Sequence, residues 1–139
     1  MIVYLDSSVL LRQLFKQPHS ITGHQNWSQA LTSELTSVEI LRSVDRLRLD
    51  GSTTDDEVAT LLQEYREVMI SSLEEIELAK LILKRASEPF PTVVRTLDAI
   101  HLASALFWQE DYQKELVFLT HDIQQGIAAK ALGMQVEGI

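Results

Sequence analysis

Two short apolar runs constrain this chain more than any other feature: Ile2 to Leu5 and Leu116 to Leu119, each continuous and each followed at once by residues that can start a helix. A continuous run, without the alternation of a half-solvated strand, is what a strand buried on both faces requires. After the first come Asp6, Ser7 and Ser8, all able to cap a helix N-terminus, and a short helix over Val9 to Phe15. After the second come Thr120, His121 and Asp122, then a helix over Ile123 to Leu132. Gly133 is its C-cap, and Met134 to Val136 is a final strand. Apolar strands alternating with helices predict a mainly parallel sheet covered by helices on both faces.

The middle of the chain reads less sharply. Pro18 to Asn26 is a loop by composition, and Leu31 to Leu35 is a short strand. Thr36-Ser37-Val38-Glu39 has the form of a capping box leading into a helix over Ile40 to Leu49, which Gly51 ends. Val38, Leu41, Val44 and Leu47 recur every three residues and predict that helix's apolar face. A second capping box, Thr54-Asp55-Asp56-Glu57, opens a helix carrying Val58, Leu61, Leu62, Tyr65 and Met69. Met69 to Leu73 reads as a strand, Glu74 to Arg85 as a helix, and Pro89 and Pro91 bracket a break. Thr96 to Trp108 is a helix apolar almost all round, so it belongs deep in the core.

The 139 residues suit one domain, 1–139. With no cysteine, the chain has neither a disulfide framework nor thiol catalysis, which suits a reducing cytoplasm. Its apolar runs fall far short of the ~20 residues a membrane helix needs, and no signal-like segment opens it. A formal charge of −8 argues against holding nucleic acid by charge alone. It does not exclude a nuclease, because a carboxylate cluster counts as negative until a cation fills it.

In open α/β sheets, ligands bind beyond the carboxyl ends of the strands. Asp6 ends the first strand, and Asp122 lies just past Leu116 to Leu119. Glu39 and Asp98 stand near the starts of helices that should begin at the same edge. Each has a plainer reading. Asp6 and Asp122 can cap helices, Glu39 can be the capping-box acid, and Asp98 can complement a helix dipole. Together, four carboxylates in one crevice repel one another unless a cation is present, and oxygen ligands without cysteine suit a hard ion. Mg²⁺ or Mn²⁺ in such sites works on phosphates.

The segments IVYLDSS (2–8), LTSVEILRS (35–43), RTLDAIHLASA (95–105) and FLTHD with IQQGIAAKALGMQV (118–136) resemble the PIN-domain nuclease family. Their order and spacing are most similar to the VapC-type toxins of toxin–antitoxin pairs. The resemblance implies a three-layer α/β/α sandwich with a central, mainly parallel sheet. It also implies a Mg²⁺- or Mn²⁺-dependent endoribonuclease that hydrolyses RNA phosphodiesters by a Mg²⁺-activated water. The family's acids fall on Asp6, Glu39, Asp98 and Asp122, its small hydroxyl residue on Ser7 and its threonine on Thr120. Partners implied are an RNA substrate, a cognate antitoxin and a second copy of the chain, with no membrane and a cytoplasmic location. Many relatives carry a further acid near the last, where this chain has His121 and Ile123, so one metal or two stays open.

Arg12, Lys16, Arg42, Arg46 and Arg95 are candidates for the RNA backbone, with ordinary surface charge as the plainer reading. His101, one turn from Asp98, reads as a hydrogen-bonded core histidine within reach of the site. His19 and His24 read as solvent-exposed, and His121 as close enough to Asp122 to touch a phosphate. Tyr65, Phe107 and Trp108 read as core or interface, and Trp27 stays open between packing and base stacking. A receiver domain would want an acidic pair after the first strand, and a dehalogenase-like phosphatase a second Asp at position 8; this chain has Asp-Ser-Ser. Two further readings compete with the metal-dependent nuclease. One is a metal-free ribonuclease using two histidines, and the second is a PIN-like domain that binds RNA or protein without cutting.

Overall fold

β1 (Ile2–Leu5) is the central strand of a five-stranded, wholly parallel sheet in the computed structural model, which describes residues 1–21 and 26–139. The sheet order is β3-β2-β1-β4-β5, with β2 at Gln29–Ser33, β3 at Glu74–Ile76, β4 at Val117–Leu119 and β5 at Gln135–Glu137. The helices are α1 (Ser7–Leu14), α2 (Glu34–Leu49), α3 (Asp55–Ser72), α4 (Lys80–Ala86), α5 (Thr96–Tyr112) and α6 (Ile123–Ala131). From β1 the chain first moves outward one way, through β2 and β3, and later returns to build β4 and β5 on the other side. The direction of winding therefore reverses between β1 and β4, which is where open α/β sheets bind ligands.

Alternation along β1 and β4 makes two cores. Tyr4 and Phe118 face Leu102, Ala105 and Trp108 of α5 and Ala128 and Ala129 of α6. Val3, Leu5, Val117 and Leu119 face Val9, Leu10 and Leu14 of α1 and Ile40 and Val44 of α2. Helices on both faces give the expected three-layer α/β/α sandwich with a parallel sheet. Tyr4 and Phe118 stack with ring centroids 5.1 Å apart across the β1–β4 pair. Among the described residues no helix is long and apolar enough to cross a membrane.

Three expectations in the middle of the chain are corrected. β2 ends at Ser33, whose hydroxyl caps α2 by accepting from the Leu35 N–H at 3.2 Å, so α2 starts before Thr36. Thr36 is buried inside the helix and bonds Thr32 at 2.7 Å, so Thr36 and Glu39 form no capping box. Second, the buried face of α2 is Thr36, Ile40 and Val44, while Val38 and Leu41 are 57% and 43% exposed. Strict three-residue steps drift by about 60° each, so Val38 and Leu47 stand on opposite sides of the helix; four-residue steps hold one face better. Third, α3 runs on through Met69 to Ser72, and the strand is Glu74–Ile76, where a helix was expected. β3 is an edge strand with exposed acids, so it lacks the apolar signature of a central one. Glu74 and Glu75 accept hydrogen bonds from Gln29 and Ser37. The second capping box, Thr54 with Glu57, forms as expected.

Candidate active site

Asp6 follows β1 directly and is 4% exposed. Its backbone N–H continues the sheet by donating to the Leu119 carbonyl at 3.0 Å, and its Oδ2 accepts from the Ser8 N–H at 3.1 Å, capping α1. Capping leaves the other side of the carboxylate for donors from elsewhere. Gln125 Nε2 lies 3.3 Å from Oδ1, and the Thr120 hydroxyl lies 3.2 Å from Oδ2. Thr120, fully buried at the end of β4, also approaches Gln125 Oε1 at 2.8 Å and accepts from the Asp122 N–H at 3.0 Å. Its single proton serves only one acceptor at a time, so the cluster holds together as a network.

Asp122 is the N-cap of α6, its Oδ1 accepting from the Gln125 N–H at 2.9 Å. Its Oδ2 accepts from Arg95 at 2.9 Å. Arg95 precedes α5, and its Nε donates to Asp98 Oδ2 at 3.1 Å, so one guanidinium joins two carboxylates from two elements. Burial lifts the pKa of Asp98; Arg95 pulls it back, the charges of Asp122 and Asp6 add to the lift, and the net position is above the ordinary carboxylate value.

Glu39 enters from α2 and meets His101 of α5, with Oε1 2.5 Å from Nε2. The same nitrogen lies 3.5 Å from Asp6 Oδ1, and Nδ1 lies 2.8 Å from the Tyr4 hydroxyl. His101 is fully buried. Burial disfavours its charged form, but the Glu39 hydrogen bond and the charges of Asp6, Glu39 and Asp98 outweigh it and raise its pKa. It is thus the core histidine expected and at the same time the link between two of the acids.

The four acids therefore fall into two bridged pairs, Asp6 with Glu39 through His101, and Asp98 with Asp122 through Arg95. A family model described as the PIN domain matches residues 3–129, which takes in all four. The chain belongs to the PIN-domain family. It is 30% identical over 129 residues to "Ribonuclease VapC47" of Mycobacterium tuberculosis (strain CDC 1551 / Oshkosh), covering 86% of this chain and 84% of that protein.

For a PIN domain the question is whether these donors suit a divalent ion. Among the described residues no three of His, Asp and Glu stand close enough to hold a metal as the side chains are placed. The chemistry nevertheless fits a hard cation. Asp98 and Asp122 turn oxygens toward one shared positive charge, the Arg95 guanidinium, and carboxylate oxygens are the ligands a hard cation takes.

The remaining candidates resolve more plainly. Ser7 is buried at the head of α1, but the hydroxyl that bonds across to the β4 end is that of Ser8, accepting from the His121 N–H at 3.0 Å. Arg42 pairs with Asp45 and Lys16 with Glu64 at the surface. Trp108 is buried and stacks on Tyr112, while Tyr65 and Trp27 pack against the α1–α2 core. His19 is exposed, His24 lies outside the described residues, and His121 Nδ1 sits 3.0 Å from the Gly138 carbonyl. Gln125 joins the site without having been among the residues the sequence pattern singles out. Its signal is a polar residue three positions after Asp122, on the turn that faces back to β1.

Proposed function

We propose that this chain is a divalent-metal-dependent endoribonuclease, acting as the toxin of a VapBC-type toxin–antitoxin pair. The observation that carries the reading is the placement of Asp6 and Asp122 after the two strands that flank the reversal in sheet order, with Asp98 bridged to Asp122 and Glu39 bridged to Asp6. Membership of the PIN-domain family and likeness to a protein named a ribonuclease support it. In this reading the domain spans 1–139 and works in the cytoplasm. A cognate antitoxin restrains it, and it pairs with a second copy. Exposed Val38 and Leu41 on α2 and Leu97 on α5, two helices in contact, are suited to such pairing.

Asp6, Asp98 and Asp122 would hold the Mg²⁺ or Mn²⁺, with Glu39 beside them. When bound, the ion supplies charge neutralisation at the phosphate and a lower pKa for the attacking water. Asp6 is held in place by Ser8, Thr120 and Gln125, so its carboxylate is oriented before substrate arrives. Glu39, fixed at one oxygen by His101, orients the water for in-line attack on phosphorus. Ser7 and Thr120 support the carboxyl ends of β1 and β4. Cleavage leaves a 5′-phosphate and a 3′-hydroxyl.

The test is cleavage of labelled total RNA by purified, antitoxin-free protein, with Mg²⁺ or Mn²⁺ and with EDTA, beside Asp6→Asn and Asp98→Asn. Discrete cuts that need the metal and both acids are expected. Retained cleavage by folded Asp98→Asn would remove the core of the reading. A PIN-like domain that binds RNA or protein without cutting has in its favour that all four acids already have partners. Folded protein that binds RNA and never cuts it would establish that second reading.

A further inference from the structure

We propose that Arg95 is a resident counter-ion, holding Asp98 and Asp122 together in the ion-free protein and giving up its place when a divalent cation binds. The inference rests on the metal-dependent reading above and concerns what occupies the site before the metal does.

Two geometric observations carry it. Arg95 uses two different nitrogens for two different carboxylates, Nε for Asp98 and a terminal nitrogen for Asp122, and both accept through Oδ2. Oδ1 of the Asp122 carboxylate accepts from the head of α6, so its Oδ2 is the oxygen that faces the cation. The second observation is accessibility: the Arg95 side chain is 70% exposed, whereas those of Asp98 and Asp122 are more enclosed. Arg95 thus reaches in from solvent and can leave without opening a hole in the core.

A guanidinium and a divalent ion cannot share this position. Both are positive, and their repulsion at a few ångströms is several times that between the same charges apart in water. An exposed ion pair is worth little, so the exchange is within reach of millimolar metal. Once displaced, the guanidinium stands beside the site on its flexible stem, where the charge of an RNA phosphate is the nearest new partner. Arg95 is therefore a positioning residue: it presets the spacing of two ligands and competes with the ion they are set for.

The test is Mn²⁺ binding, with no RNA present, to the full chain stripped of metal. Calorimetry and the electron paramagnetic resonance signal of free Mn²⁺ give the affinity for the unaltered protein, Arg95→Gln and Arg95→Lys. Removing the competitor should tighten binding about three- to fivefold in Arg95→Gln. Arg95→Lys, which keeps the charge without the two-pronged geometry, should fall between. Equal or weaker binding in Arg95→Gln overturns the proposal while leaving the metal reading intact. Absence of Mn²⁺ binding in all three proteins overturns both.

Discussion

His101 Nε2 and Glu39 Oε1 lie 2.5 Å apart although the residues are 62 positions apart in sequence. The contact joins α5 to α2 through the plane of the sheet's carboxyl edge, and its far side is closed by the Tyr4 hydroxyl on Nδ1. A residue of the core thereby fixes the position of a residue of the candidate site.

Tyr4→Phe tests that chain from its buried end. It leaves Nδ1 of a fully buried histidine without its partner, a loss of about 1–3 kcal/mol by the usual cost of an unmade buried hydrogen bond. Denaturant unfolding should show a lower midpoint with an unchanged slope. A stability equal to that of the unaltered protein would mean that Tyr4 does nothing for His101.

Alkaline titration addresses the same phenol. Burial first, and then the charge of Asp6, raises the Tyr4 pKa well above 10.0. A group raised on folding stabilises the fold below its unfolded value, and that contribution is lost as the pH rises above it. Stability should thus fall from about pH 10 upward. Tyr4, fully buried, should develop its phenolate absorbance only on unfolding. Phenolate absorbance in the folded protein that disappears in Tyr4→Phe would contradict this.

Asp98→Asn should separate function from stability. Folding disfavours the ionised form of Asp98, so the amide relieves that cost while weakening the Arg95 contact. Metal-free thermal unfolding should be unchanged or slightly higher for the variant, within about 1 kcal/mol. Loss of both RNA cleavage and folding would make Asp98 a structural residue instead.

Thr120→Val keeps the shape of a fully buried side chain and deletes the hydroxyl shared by Asp6, Gln125 and Asp122. It should cost about 1–3 kcal/mol of stability. RNA cleavage should fall about tenfold or more, because the Asp6 carboxylate loses part of its frame. Full activity would show that Ser8 and Gln125 suffice.

What the sequence makes legible follows from the range of the interactions involved. The central strands announce themselves because burial on both faces demands continuous apolar runs, and Asp6 and Asp122 follow because one ends the first run and the other lies just past the second. β3 is not legible in this way, since an edge strand with Glu74 and Glu75 exposed obeys no such demand. Local pattern puts Glu39 one interaction too close, on its own helix end, because its true partner His101 comes from another layer. Gln125 and the bridging posture of Arg95 depend on contacts between elements, which local pattern does not carry.

The donors that fix Asp6 lie far along the chain: Thr120 is 114 residues later and Gln125 119. During synthesis the Asp6 carboxylate therefore has only its local cap, the Ser8 N–H, until Thr120 and Gln125 have emerged. Without β4 and α6, Asp6 keeps its contact with the Ser8 N–H and lacks those with Thr120 and Gln125, and the Arg95–Asp98 pair lacks Asp122. The frame of Asp6 thus joins the first strand to the segment from Thr120 to Gln125.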